Sequence, residues 1–525
     1  MLRALKQIVS FTMLSRVLGM ARDICYSTFF GATALGDAWI IAFRIPNLSR
    51  RIFGEGAATS SFIPVYSKEL ACDEASAARL ANTVTTVIFT LLSALVVVGW
   101  VILWYLYSAS SATEDTKLIA ELAAVMLPYA AIICTVAILA GVLNVHNHFA
   151  APAAAPVLLN CFIIAAIVIS GRFAGLSPKA QAFTAAVSVL AAGIAQTLLQ
   201  LVVLKHKGIH IRPAWDVHSD AAKKVLMLMA PMVLGAAVTQ INTLSDEVIA
   251  WIFSASVDKG DAFTALGRVV EYPLRRGSVM HLYLSQRLYQ LPLGVFGISI
   301  ATAIFPLLSR SAAAGDSAKM VRSLNKGLKL AVFIALPCSA GLIITAKPLI
   351  ALMFEHGEKF AAADTLKCAG VLAAYALGIT GYFLQQILVK AFYALHESKV
   401  PARSAMWAVA LNVLLNLALI WPLGAAGLAA ATAICSYVQV LTLMRVLRRQ
   451  YCDAGSGLLR LLSKTLVASL IMLVAGFIFQ GAIASISGTI ALNLANILLT
   501  IALCGSLFLL TAKLTGNEGL TMLKR

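Results

Sequence analysis

The chain has 525 residues, 60% of them hydrophobic and only 12% charged, with a mean hydropathy of +0.88. Water-soluble domains carry roughly 25% charged residues, so a soluble globule is excluded, and length is no guide to domain number here. The net charge of +18 sits in short loops between apolar runs, which points to membrane topology and anionic lipid and away from nucleic acid.

In chain order, the first apolar run, 7–31, contains the stretch SRVLGMARD, which places Arg16, Arg22 and Asp23 inside it. Those charges also exclude a signal peptide, whose apolar region would be uninterrupted. Thirteen further runs follow, at 36–53, 80–107, 118–145, 151–171, 179–204, 221–254, 278–306, 327–354, 366–390, 402–421, 424–444, 459–482 and 488–512. Most meet the ~20 residues that a helix needs to cross a bilayer. Fourteen transmembrane helices are therefore expected, in an all-α polytopic membrane protein. Basic clusters at Lys205–Lys224, Arg310–Lys329 and Arg445–Lys464 alternate with loops such as 421–427 that have none. That asymmetry puts the clusters and both termini in the cytoplasm. The loop 255–277, with Lys259, Arg268, Arg275 and Arg276, should lie outside and reads as a small extracytoplasmic insertion.

Nine cysteines are scattered singly without a CxxC, so neither a disulfide framework nor a zinc site is indicated. His146–Asn147–His148 lacks a nearby Cys or carboxylate, which leaves it a short loop and not a metal site. Gly54–Glu55–Gly56 follows a helix and lacks a following Gly-Lys, so it reads as a turn at the end of the second span and not as a P-loop.

The chain repeats itself. At an offset of 243, seven of nineteen positions in 44–62 agree with 287–305, among them Arg44/Arg287 and Gly54/Gly297. The matched segments belong to spans 2 and 8, so the repeats are parallel, with six spans each and two more at the C-terminus. This gives an N-lobe at 1–216, a C-lobe at 217–455, and spans 13 and 14 at 456–525. Parallel repeats place a substrate site near the midplane between them.

Charge inside the spans is unevenly spread: spans 3, 5, 6, 10, 11 and 12 are nearly free of it, whereas the first two spans of each repeat carry Arg16, Arg22, Asp23, Asp37, Arg44, Arg50, Arg51, Asp246, Glu247 and Arg287. Arg16 and Asp23 share a helix face, as do Asp37, Arg44 and Arg51, and Tyr283, Arg287 and Gln290 line one face of span 8. An Arg near mid-bilayer costs about 2.5–3.5 kcal/mol on the lenient insertion scale. Such residues therefore face water, carboxylates or an anionic ligand; Arg50 and Arg51 at a helix end can also be interfacial anchors. The excess of Arg favours an anion, and its planar fork matches phosphate oxygens. Asp246, Asn412, Asn416 and Thr432 combine one carboxylate with neutral oxygens. That set suits a monovalent cation, sodium or a proton, or else plain hydrogen bonding between helices.

The stretches SRVLGMARD, RIPNLSRRIFGEGAATSSFIPVYS, LSQRLYQLPLGVFGISIATAIFPLLSR, LMFEHGEKFAAADT and KAFYALHESKVP resemble, in order, signatures of the MurJ (MviN) lipid II flippase family of the multidrug/oligosaccharidyl-lipid/polysaccharide (MOP) superfamily. The resemblance implies two six-helix lobes around a cationic cavity, with spans 13 and 14 beside a lipid-tail groove. It implies a bacterial cytoplasmic-membrane protein that moves the undecaprenyl-diphosphate-linked peptidoglycan precursor, lipid II, from the inner to the outer leaflet, without covalent chemistry or a bound cofactor. Partners would be lipid II, membrane lipids and proteins of cell-wall synthesis or division. Carried over by position, the family's cavity residues fall on Arg16, Arg22, Asp23, Asp37, Arg50 and Arg287. Gln290 stands where some members have Glu, His356 replaces a usual Arg, and Asn416 occupies a position that is acidic in sodium-binding members. The driving force would be a monovalent cation or the membrane potential. Two alternatives share the composition: an exporter of drugs or of another polyprenyl-linked oligosaccharide on the same fold, and a membrane enzyme acting on polyprenyl phosphates. The enzyme would need an acidic metal cluster or a positioned nucleophile, and no DDxxD-like run is present.

Overall fold

The structure, a computed structural model, describes residues 2–52, 58–110, 112–265, 267–451, 454–483 and 490–523, side chains excepted at 2–6, 58–60, 523 and parts of 230–239. The Gly54–Gly56 turn, Cys452 and most of the loop at 479–490 lie outside the described residues. Helix dominates because hydrocarbon offers no partner for backbone polar groups, which a helix satisfies internally.

Two compact units form, Met1–Leu244 with Ala255–Val270, and Ser245–Ser254 with Glu271–Arg525. The first contains α1 (Leu2–Phe29), α2 (Ala34–Ser49), α3 (Ala58–Cys72), α4 (Glu74–Ser108), α5 (Glu114–Met126), α6 (Tyr129–Val145), α7 (Ala150–Val168), α8 (Pro178–His206) and most of α9 (Asp220–Ile252). Here α1 packs on α7, α2 on α5, and α6 between α4 and α8. Ile133, Val136, Ile138, Leu139, Val142 and Leu143 of α6 are buried, whereas Val101, Trp104 and Tyr105 of α4 point outward, as lipid-facing side chains do. Between α1 and α2 the rings of Tyr26, Phe30, Trp39 and Phe43 stack with centroids 5.3–6.0 Å apart. Each such pair is worth about 0.5–1.5 kcal/mol beyond its buried area. The stack closes the tight turn before Thr33, whose hydroxyl caps α2 by accepting the Gly36 N–H.

The second unit contains the end of α9, then α10 (Ser278–Pro292), α11 (Ile298–Ala313), α12 (Ser317–Phe354), α13 (Ala362–Leu377), α14 (Ile379–Ala394), α15 (Lys399–Leu423), α16 (Ala425–Gln450), α17 (Leu458–Ile483), α18 (Ile490–Leu514) and α19 (Glu518–Leu523). The 38-residue α12 is its axis, touching α11, α13, α14, α17 and α18. The last two long helices pack on α12 inside this unit, and the boundary between the two units falls within α9 at residues 244–245. Between α9 and α10, β1 (Ser254–Ala255) pairs with β4 (Leu274–Arg275) and β2 (Ala262–Ala265) with β3 (Arg268–Glu271).

Among the described residues, ten helices or continuous helix pairs are long and apolar enough to span a membrane, and the pair α13–α14, bent by 41° at Gly378, makes eleven. The expected fourteen is not reached by that measure. The expected spans outside it are α1, α2 and α9, and all three carry intramembrane charge. Between α2 and α4 lies α3, a 15-residue helix outside the fourteen expected spans. The repeat has a structural counterpart. A π-helical turn follows α2 at 50–52, and another follows α10 at Leu293–Gly297. Adding 243 to 50–52 gives 293–295, so both repeats loosen the helix at the same place.

At the α15–α16 connection the backbone folds closely on itself. Gly424 adopts φ +58°, and a Cβ on Gly427 would collide with the Leu419 carbonyl. Backbone cannot give way as a side chain can, and overpacking typically costs about 1–3 kcal/mol. Gly427→Ala should therefore lower the thermal unfolding midpoint of the purified protein. Gly370→Ala, where nothing lies within 4 Å, should leave it unchanged or slightly raised.

Candidate functional site

In the first unit the polar centre is Arg22. Its Nε and Nη2 donate to Asp23 Oδ1 at 3.2 and 2.8 Å, and its Nη1 donates to Asn160 Oδ1 on α7 at 3.1 Å. Asn160 Nδ2 in turn donates to the Ser15 carbonyl at 3.1 Å, which fastens α7 along α1. The guanidinium also lies 5.3 Å from the Tyr26 ring centroid and 5.8 Å from that of Phe43. Arg22 and Asp23 are 7% and 3% exposed, so the pair is sequestered and forms a neutral unit. These contacts hold Arg22 between α1 and α7. Arg16 is exposed, nearly two turns away along α1. Asp37 is fully buried in the first turn of α2 and Arg44 nearly so. Arg50, half-buried, donates from Nε to Asn47 Oδ1 at 3.0 Å, and Arg51 reaches Gln240 Oε1 of α9 at 3.4 Å.

In the second unit, Arg287 is half-buried on α10. It donates from Nη2 to the Tyr283 hydroxyl at 2.9 Å and sits 4.8 Å from the centroid of the same ring. That contact orients the guanidinium one turn from Tyr283. Gln290, also half-buried, follows one turn further on the same face.

The four residues read as a cation set do converge in this unit. Asn416 Nδ2 donates to Asp246 Oδ1 at 2.6 Å and to Asn412 Oδ1 at 3.0 Å. Thr432 Oγ1 is 3.2 Å from Asp246 Oδ2, and Asn412 Nδ2 donates to Thr432 Oγ1 at 3.1 Å. Asp246 is 4% exposed and both asparagines fully buried. Oxygen-rich donor sets of this kind fit hard monovalent ions or a proton. No group of three or more His, Cys, Asp or Glu with metal-binding geometry occurs among the described residues. His146 instead faces Tyr66, its Nε2 3.0 Å from the hydroxyl.

Sequence reasoning missed Asn160, the residue that makes Arg22 a crosslink between α1 and α7. The signal was an Asn inside the otherwise apolar run 151–171. Because removing one partner strands a buried charge at a cost of about 3–5 kcal/mol, Arg22→Ala should destabilise the protein measurably in a thermal melt. The double substitution Arg22→Met with Asp23→Leu should recover much of that loss. A single variant that melts like wild type would show the pair to be energetically idle.

Comparison with known proteins places this arrangement. The family model described as "Lipid II flippase MurJ" matches residues 26–518. A probable lipid II flippase MurJ of Vibrio cholerae serotype O1 is 31% identical over 491 residues, covering 90% of this chain and 87% of that one. One from Rhizobium meliloti is 30% identical, covering 98% and 94%. Among solved structures, "Lipid II flippase MurJ, inward closed conformation" superposes with a TM-score of 0.76 at 24% identity, covering 97% of this chain and 99% of that one. An inward-facing multidrug resistance MATE family transporter of the MOP superfamily superposes with a TM-score of 0.64 at 17% identity, covering 85% and 99%; at such identities the likeness concerns fold alone. With two thirds of the chain far exceeded by the family match, the chain belongs to the lipid II flippase MurJ family.

Proposed function

We propose that this protein is a lipid II flippase, a membrane transporter that carries the undecaprenyl-diphosphate-linked precursor from the inner to the outer leaflet by alternating access. The observation that carries the reading is the MurJ family match across residues 26–518. The MATE-like fold is shared with drug exporters, but arginine-bearing first and second spans suit an anionic headgroup and not a cationic drug. A charge left bare in hydrocarbon is prohibitive, at tens of kcal/mol by Born estimates, so headgroup transfer needs a polar path and no covalent chemistry. On this reading the protein lies in the bacterial cytoplasmic membrane with both termini inside. The lobes are 1–216 and 217–455, with 456–525 beside the lipid tail.

For the headgroup, the proposed contacts are Arg16, Arg50, Arg287 and Gln290, with Asp37 orienting its neighbours. The Arg22–Asp23 pair would hold α1 in shape beside them. Arg287 is the most informative position, because Tyr283 orients its guanidinium through Nη2 while the residue stays half-buried. Arg287→Ala should abolish growth of a strain depleted of its own flippase, with lipid II accumulating in the inner leaflet, while protein level and melting temperature stay near wild type. Arg287→Lys should rescue only partly, since a point charge lacks the bidentate fork. Normal growth and normal lipid II distribution in Arg287→Ala would sink the anion-binding role. Chemical conversion of labelled lipid II by the wild-type protein would favour the enzyme reading.

Asp246, Asn412, Asn416 and Thr432 are the residues that would hold a monovalent cation or a proton, with a driving role shared with the membrane potential. A sodium titration of the melting temperature separates the two ions. Stabilisation by sodium in the wild type, absent in Asp246→Asn, would mark a sodium site. A sodium-independent melt whose pH dependence vanishes in Asp246→Asn would mark a proton site. A melt indifferent to both would reduce the cluster to a helix-to-helix hydrogen-bond network.

A further inference from the structure

The Asp246 cluster and the helix that carries Arg287 and Gln290 lie in the same unit. In its first turns α10 is pinned to α13. His281 Nε2 lies 3.2 Å from Asp364 Oδ1, and Ser285 Oγ donates to the Cys368 carbonyl at 2.9 Å. One turn further along, the contact passes to aromatic rings. Tyr289 stacks on Tyr375 with centroids 4.7 Å apart, and its ring lies 5.3 Å from that of Tyr382 on α14. Tyr289 stands next to Gln290 and two residues from Arg287. Directional hydrogen bonds fix a register, whereas stacked rings can slide, and the π-helical turn at Leu293–Gly297 loosens the helix just beyond.

From Tyr382 the contacts lead on to α16. At Gly378, where the 41° bend falls, a Cβ would stand 2.7 Å from the Tyr382 hydroxyl and 2.9 Å from the Cα of Ala433. One turn later, a Cβ on Gly381 would collide with Ser436. Ala433 directly follows Thr432, whose hydroxyl lies 3.2 Å from Asp246 Oδ2. The two glycines thus bring α14 against α16 with no side chain of their own to absorb a displacement, and a close-packed interior transmits strain. The Tyr382 hydroxyl has no hydrogen-bond partner among the described residues. Packing therefore sets the place of this ring, and the ring moves with what it packs on.

We propose that Tyr289 and Tyr382 are positioning residues through which the charge state of Asp246 sets the placement of Arg287 and Gln290. A change of charge at Asp246 shifts Thr432 and with it α16. The Gly378 bend passes the shift to Tyr382, and the stacked rings pass it to the far end of α10. The inference rests on the cation and headgroup readings of these residues. It is measurable without transport and without an ion, because Asp246→Asn removes the charge outright.

The experiment is fluorine NMR of the full-length protein in lipid nanodiscs, with meta-fluorotyrosine incorporated and each reporter assigned by its own Tyr→Phe substitution. Tyr283, whose hydroxyl accepts from Arg287, reports on α10. Tyr437, which donates to the Leu377 carbonyl at 2.6 Å beside the bend, reports on α16. In the wild-type background Asp246→Asn should displace both resonances. In Tyr382→Leu, and independently in Tyr289→Leu, the Tyr437 displacement should remain while the Tyr283 displacement is lost. Tyr382→Phe, which keeps the ring, should retain both. The relay is overturned if Tyr283 does not respond in the wild-type background. It is equally overturned if Tyr283 responds undiminished in the leucine variants, which would make the field of the carboxylate the carrier. Wild-type resonances indifferent to sodium and to pH, with the response to Asp246→Asn intact, would sink the ion reading and leave the relay standing.

Discussion

A guanidinium or carboxylate inside hydrocarbon has to be paired, hydrogen-bonded or in contact with water, because even a lenient scale penalises each by a few kcal/mol. Most of this chain's organisation follows from how it meets that demand. Arg22 is met by Asp23 on its own helix and by Asn160 from α7. Asp246 on α9 is met by Asn416 from α15 and Thr432 from α16. Each solution draws in a helix that is distant in sequence. In a bilayer, apolar faces do not discriminate strongly among partners, since lipid tails are as apolar as leucine. The polar contacts therefore do more to choose neighbours than the long apolar runs around them.

The second constraint is local. Both repeats interrupt their second span with a π-helical turn at equivalent positions, 50–52 and Leu293–Gly297. A π-turn frees backbone groups and widens the helix, and such turns gather at functional sites. Arg50 and Arg51 lie in the first of them, and Arg287 and Gln290 lie just before the second. Preservation of the break along with Arg44/Arg287 and Gly54/Gly297 indicates that geometry, as well as charge, was duplicated. The 41° bend at Gly378 has a different origin. There α13 gives way to α14 where the glycine lies close to the Tyr382 ring and to Ala433 of α16.

Span positions, the parallel repeat and the charged helices were legible because each leaves a strong one-dimensional trace: length, self-similarity, and charge where charge is costly. The Asp246 cluster was legible for the same reason, as four polar residues in otherwise apolar runs. What the sequence hid was pairing. Arg22 looks available to a ligand when only its own helix is considered, because Asn160 lies 138 residues away and a single Asn has no periodicity. The α3 helix was hidden because it is short, carries Pro64 and follows a glycine-rich stretch. The contact of Asp258 with the start of α5 was hidden too, because no spacing rule links Asp258 to Glu114.

Pairing also decides which charges the membrane potential can act on. A field across the bilayer does work on net charge, about 2.3 kcal/mol per elementary charge per 100 mV across the full thickness. The Arg22–Asp23 pair is neutral as a unit, so moving it through the field contributes little, however deep it lies. The neutral donors on Asp246 behave differently. Asn416 and Thr432 stabilise its carboxylate by hydrogen bonding without cancelling its formal charge. Uptake of a proton or monovalent cation there would change the charge of the second unit by one, enough to shift a two-state equilibrium roughly fortyfold if that charge crossed the equivalent of 100 mV. Replacing Asn416 by an acid would add a second negative charge at the same place and bind the cation more firmly through simple attraction. The amide instead donates to Asp246 and to Asn412 and adds no second negative charge. An ion or proton there would meet a site already stabilised, and its departure would leave no bare carboxylate in the bilayer.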